Sequence, residues 1–302
     1  MTVDRPVLGI ALMLGFCALA PLGDSIAKLL GGTIPLGQLL LIRFGAQFIL
    51  LLPIIWLTNG TLRMSGRVLR LTIIRTVLHI IGIGTMFYAL RFLPLADAIA
   101  IAFVMPFIML LLGKLVLKEQ VGPRRLAACA VGFVGTLLVI QPSFAAVGAP
   151  ALLPLIVALV FALFMLVTRQ VAKDSDPISL QAVSGLVATL ILGTYFLLGS
   201  GSDHPAFELI IPNQRDAILL AAIGVLGTFA HLLMTWSLRF APSATLAPMQ
   251  YLEIPFATFV GWLIFNDLPN GLAAIGILIT VCSGLYIVAR EHAAERVVVS
   301  EI

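Results

Sequence analysis

Apolar runs close to the length that a helix needs to cross a bilayer, about 20 residues, recur along this chain from one end to the other. Nothing else in the sequence restricts the fold as strongly, because a backbone surrounded by hydrocarbon must satisfy its N–H and C=O groups within its own segment. The composition agrees: 61% of the 302 residues are hydrophobic and 11% are charged, against roughly 25% charged in a soluble domain. The chain is read as an all-α, polytopic membrane protein, with no stretch left over for a soluble domain.

With Pro, Gly and charge clusters as punctuation, spans fall at about 7–30, 37–57, 71–92, 95–116 and 123–140. A Pro/Gly/Ala-rich break at 141–150 precedes five more at about 151–171, 178–198, 217–240, 244–265 and 270–289. The expected organisation is ten transmembrane helices in two domains, 8–140 and 151–289. The first run continues to Leu30 and contains Asp24 and Lys28, so it reads as a retained span and not as a cleaved signal peptide.

Lys and Arg mark the ends that stay in the cytoplasm. With the N-terminus inside, 14 of the 18 basic residues fall at inner ends, three (Lys28, Arg91 and Arg215) fall outside, and Arg43 lies within a span. Arg75 is counted here at an inner end. Both termini are therefore expected in the cytoplasm, in a bacterial inner membrane. The net charge of +4 follows from this topology and does not call for a nucleic-acid partner. Cys17, Cys129 and Cys282 form no CxxC or Cys/His spacing, so neither disulfide nor metal is expected.

The two halves echo each other. Leu90-Arg91-Phe92-Leu93-Pro94-Leu95-Ala96 has a counterpart 148 residues on, in Leu238-Arg239-Phe240-Ala241-Pro242-Ser243-Ala244. The register continues through Met105-Pro106-Phe107 and Ile254-Pro255-Phe256, then Lys118-Glu119 and Asn266-Asp267, to Gly135 and Gly284, slipping by one residue on the way. An odd number of spans per half puts the two halves in opposite orientations, as an inverted repeat. Many secondary transporters use that arrangement for alternating access.

Ten spans in two halves, Arg43-Phe44 in span two, YALRFLPLADA around spans three and four, Pro106-Phe107, and KEQVGPRR before a Gly-rich span five together resemble the drug/metabolite transporter superfamily, in its EamA-type branch with duplicated domains. The resemblance covers nearly the whole chain. It implies a ten-helix inner-membrane carrier with a central cavity between the halves, for substrates such as amino acids, purines, riboflavin, S-adenosylmethionine, metallophores or sugars. One departure is Asp267, which stands where the second-half family motif has Glu.

Among residues that could carry chemistry, Glu253 lies near the middle of span nine with no other charge in that span. A carboxylate there must face a cavity, pair or be protonated, so it is a candidate for binding substrate or a coupling proton, against an interhelical hydrogen bond; Gln250 lies one turn before it. Arg43 is either the partner of Asp24 in an ion pair or a ligand for an anionic or polar substrate. His79 and His231 sit mid-span, as proton relays or as hydrogen-bonding packing residues. Tyr88, Trp236 and Tyr251 either stack on a planar ligand or pack in the core. Pro106 and Pro255 occupy repeat-related places and are hinge candidates.

The expected function is secondary transport of a small polar metabolite by alternating access, with a lean toward riboflavin-type uptake; the alternative is export of amino acids or related metabolites. No ATPase motif, HExxH, GxSxG or paired acidic motif is present, so no enzyme activity, catalytic residue or cofactor is expected. The expected partners are the substrate and the bilayer, with transport driven either by a coupling proton or by the substrate gradient.

Overall fold

The computed structural model describes residues 5–118, 122–139, 148–199 and 208–267, and most of 271–286. Among these residues every regular element is helical. In the first half these are α1 (Pro6–Leu30), α2 (Leu36–Leu57), α3 (Gly66–Ala89), α4 (Leu95–Ala102), α5 (Met105–Val116) and α6 (Pro123–Val139). In the second, a short 3-10 turn leads into α7 (Leu153–Ala172), followed by α8 (Pro177–Gly199), α9 (Gln214–Phe240), α10 (Ser243–Gln250) and α11 (Glu253–Phe265). A last apolar helix, α12, covers Ala274–Ser283.

Among the described residues, seven stretches are long and apolar enough to cross a membrane: α1, α2, α3, Leu95–Val116, Ala149–Ala172, α8 and α9. The protein is thus a multi-pass membrane protein. Of the ten spans expected from sequence, the other three correspond to shorter helices. The segment from Ser243 to Phe265 is divided between α10 and α11, α6 has 17 residues, and the last span runs into residues 287–289, outside those described.

The two halves share their backbone punctuation. Pro94 before α4 and Pro242 before α10 have nearly the same extended conformation, with ψ of 149° and 145°. Helix α4 stops at Ala102 and α5 starts at Met105; 148 residues later α10 stops at Gln250 and α11 starts at Glu253. Lys118 and Asn266, related by the same offset, are both left-handed, with φ of 53° and 57°. The expected hinge prolines fall just after the two breaks, Pro106 in the first turn of α5 and Pro255 in the first turn of α11. Proline suits a first turn because its missing N–H has no helical acceptor there.

Between the halves, α1 packs along α9, α2 along α8 and α3 along α7. Exchanging the halves maps the first of these pairs onto the third and the second onto itself. Each pair runs antiparallel. The Arg5 N–H at the start of α1 donates to Phe240 O at the end of α9 (2.6 Å), while Arg75 and Gly82 of α3 face Thr168 and Phe161 of α7. Gly185 lets α8 approach α2 closely, since a Cβ there would lie 3.0 Å from Phe44 O. Large apolar side chains such as Ile49, Leu197 and Leu263 cover the outside, while Arg43, Arg75, His79 and Gln181 are buried inside, the reverse of a soluble protein's distribution.

Arg75 departs from the sequence reading. It is 0% exposed, the tenth residue of α3 and enclosed by α7, α8 and α9, so it does not belong in the count of charges at helix ends.

Candidate functional site

A cavity of about 80 Å3 lies between the halves, walled by α1, α2, α3, α4, α7, α9 and the start of α11. Its polar side chains are Asp24, Arg43, His231 and Glu253, and the Phe16, Phe87, Phe103 and Phe161 rings supply much of the rest. Glu253 is brought in by the break in span nine: as the first residue of α11 it lies where the helix restarts, 8% exposed. Ending one helix and beginning another in mid-membrane also leaves backbone groups without partners in their own helix.

Arg43 enters from α2. It is 2% exposed, its guanidinium lies 4.8 Å from the Phe44 ring, and one terminal nitrogen, Nη1, has no hydrogen-bond partner. Asp24 faces the same cavity from α1, but no oxygen of its carboxylate comes within 4.0 Å of the Arg43 nitrogens, so the two do not form an ion pair. Lys28, one turn further along α1, points elsewhere, donating to Leu93 O at 2.9 Å and lying over the Phe265 ring. The cavity therefore presents a guanidinium and two carboxylates that have not neutralised one another by direct contact.

His231 lines the cavity and meets His79 behind it, with their Nε2 atoms 3.3 Å apart. His79 stacks on Phe164 at 4.6 Å, and the Nδ1 atoms of both rings lack partners. One proton between the two Nε2 atoms makes this bond, with one ring donating to the other.

The remaining sequence candidates lie elsewhere. Gln250 ends α10, donating to Met165 Sδ at 2.9 Å, with its Oε1 unpartnered. Tyr251 donates its hydroxyl to Cys129 O at 3.2 Å and packs its ring against Gly132. Trp236 packs beside Leu51, Ile55, Ala182 and Leu232. Tyr88 is 44% exposed and pairs with Phe92. The aromatic lining comes instead from four phenylalanines, which nothing in the sequence distinguished from the other 14.

Arg75, too, was hidden. Its Nε donates to Thr168 Oγ1 at 2.8 Å, Nη1 to Ser184 Oγ at 2.6 Å, and Nη2 to Gln181 Oε1 at 3.2 Å and Thr235 Oγ1 at 3.3 Å, with Phe164 under its face at 4.7 Å. A signal for it did exist: Arg75 and His79 on α3, and Gly227, His231 and Thr235 on α9, each repeat every four residues. That spacing puts them on single helix faces, and those faces meet.

Residues 7–141 match the EamA-like transporter family, and residues 149–289 match it again. The chain belongs to that family. As the sequence resemblance implies, this is a transporter of the drug/metabolite type with two family repeats. Among relatives, it is 29% identical to a riboflavin transporter of Rhizobium johnstonii over 222 residues, covering 74% of this chain and 71% of that protein. It is 26% identical to a riboflavin transporter of Brucella anthropi, covering 84% and 88% of the two chains. A third relative, 22% identical with 89% and 88% covered, is an S-adenosylmethionine uptake transporter of Rickettsia prowazekii. A crystal structure with 18% sequence identity superimposes with a TM-score of 0.69 over 92% of this transporter and 95% of that chain, showing that the fold is shared.

Proposed function

We propose that this transporter is a secondary carrier that binds a small polar metabolite in the cavity between its halves and releases it by alternating access. The observation that carries the reading is that cavity: one guanidinium and two carboxylates, from α1, α2 and α11, converge at the interface of two repeats. Charged groups held inside a membrane are costly and mark substrate or ion pathways.

In this reading the chain crosses a bacterial inner membrane ten times as inverted five-helix repeats, with both termini in the cytoplasm. The antiparallel pairing of α1 with α9, α2 with α8 and α3 with α7 supports the inversion. With Arg75 removed from the count, 13 basic residues still lie at the inner ends against three outside, which supports the orientation. A metabolite needs more room than about 80 Å3, since small-molecule sites run to roughly 300 Å3 and above. The cavity therefore widens on binding, and Pro106 and Pro255 beside the two helix breaks are the hinges.

Riboflavin-type uptake is the leading assignment, supported by the four phenylalanine rings and by the names of two relatives. Charges of both signs favour a second assignment, a zwitterion such as an amino acid or S-adenosylmethionine, the cargo named for the Rickettsia relative. Flux of labelled riboflavin, S-adenosylmethionine and amino acids into and out of liposomes containing the purified protein separates these assignments and the direction of transport. Movement of none of them removes both assignments, and movement of no member of a broad metabolite panel sinks the carrier reading. Glu253→Gln is expected to abolish any pH dependence of the flux; if flux and pH profile are unchanged, Glu253 does not carry a coupling proton.

A further inference from the structure

We infer that Arg75 is the gate residue of the side on which α9 ends, holding that side shut while the cavity is accessible from the other. The inference rests on the alternating-access reading above.

Polar groups along α3 and α9 form layers. Thr235, His231 and Gly227 follow one another at four-residue intervals on α9 and meet Arg75, His79 and Arg43 in turn. The Arg43 layer belongs to the cavity, which reaches toward the end of α1 at Asp24 and the end of α3 at Met86 and Phe87. The Arg75 layer lies near the opposite ends of the helices, nine residues into α3, four from the end of α7, seven into α8 and five from the end of α9. At 1.5 Å per residue that is about 6–13 Å inside each end. The His79–His231 contact lies between the two layers.

Four of the five guanidinium N–H groups of Arg75 are used, all on uncharged acceptors and all on the second half. Gln47 of α2 joins the layer by donating to Gln181 O at 2.6 Å. Five helices from both halves are thus tied at one level by a single side chain and one glutamine. Opening a path on this side requires the second half to separate from α3, which breaks these bonds together. An arginine held by a carboxylate would add a strong attraction; one held by hydroxyls and an amide, as here, leaves bonds that water can replace as the layer opens. Such a layer is firm when dry and releasable when wetted.

The test reads accessibility without any substrate. In full-length protein with Cys17→Ala, Cys129→Ala and Cys282→Ala, Ala230→Cys places a thiol in the cavity wall, and a membrane-impermeant charged thiosulfonate is applied to vesicles of known orientation from either side. Arg75→Gln is expected to raise labelling from the side where α9 ends roughly tenfold, the population shift given by losing about one charged hydrogen bond, and to lower labelling from the other side. Thr235→Val and Thr168→Val, which remove single acceptors, give smaller shifts in the same direction, and they carry the test if Arg75→Gln does not fold. Unchanged labelling from the α9-end side in these variants overturns the inference, as does an equal rise from both sides, which is general loosening. Side-selective labelling in a chain that moves no metabolite supports the gate while removing the carrier reading; flux with labelling unaffected by Arg75→Gln does the reverse.

Discussion

Arg43 and Arg75 are the same residue type at nearly the same burial, 2% and 0% exposed, in two regions that treat them in opposite ways. Around Arg75 the neighbouring helices supply four acceptors. Around Arg43 they supply a ring face, a glycine and the cavity, and Nη1 is left without a partner among the protein's own groups. Taking a guanidinium out of water costs several kcal/mol unless hydrogen bonds replace the lost hydration. The Arg75 layer repays that cost within the protein, so it favours the arrangement in which these helices are closed on one another. The cavity does not, which supports the proposal that a polar metabolite binds there. Saturation of hydrogen bonds, more than charge or burial, separates the two environments.

The comparison breaks most visibly at Arg75. Replacing it with Ala leaves a void and strips Ser184, Gln181, Thr168 and Thr235 of a shared donor, which should cost about 3 kcal/mol of stability, read as a lower midpoint of thermal unfolding in detergent. Were Arg75→Ala as stable as the parent, the layer would not be holding the helices together. Arg43→Gln should do the opposite, because it removes a poorly satisfied charge. Stability stays within about 1 kcal/mol, while affinity for a transported metabolite with an anionic or carbonyl end falls by about 2 kcal/mol, roughly thirtyfold. Titration calorimetry of the two purified proteins checks this, and an unaltered Kd would take Arg43 out of the site.

Much of this organisation was legible beforehand, for identifiable reasons. Spans are legible because hydrocarbon imposes length and composition together; Pro106 and Pro255, recurring in register, point to the neighbourhood of the breaks in spans four and nine, but the sequence alone makes both spans continuous helices. Asp24, Arg43, His231 and Glu253 stood out because each is a polar residue in an apolar run, and a membrane gives such a residue few places to go. Arg75 was missed because a tally of charges by helix end cannot tell a residue in the interfacial turn from one nine residues into α3. The aromatic wall was missed because a membrane helix is apolar on every face, so its periodicity does not reveal which phenylalanines turn inward. Tyr88, Trp236 and Tyr251 drew attention by residue type, yet their neighbours are set by helix rotation and by close-fitting glycines such as Gly132, which single-residue reasoning does not capture.

The smallest expected effect sharpens the comparison furthest. In the 148-residue repeat register Gly227 is the counterpart of His79. Where the first half sends a large polar side chain toward the interface, the second half has given up its side chain. A Cβ at Gly227 would lie 2.9 Å from Arg43 Nε and 3.1 Å from its Cζ, closer than packed atoms tolerate. The guanidinium is the flexible partner, so Gly227→Ala should tilt it and leave α9 in place, at about 1 kcal/mol of stability. Affinity should fall by several-fold, less than in Arg43→Gln, because the charge remains but its aim is lost. In a double-mutant cycle the two effects on affinity should not add, since with Arg43 already replaced there is nothing left for the new methyl group to misdirect. Full additivity would mean that Gly227 serves helix packing and not the placement of Arg43.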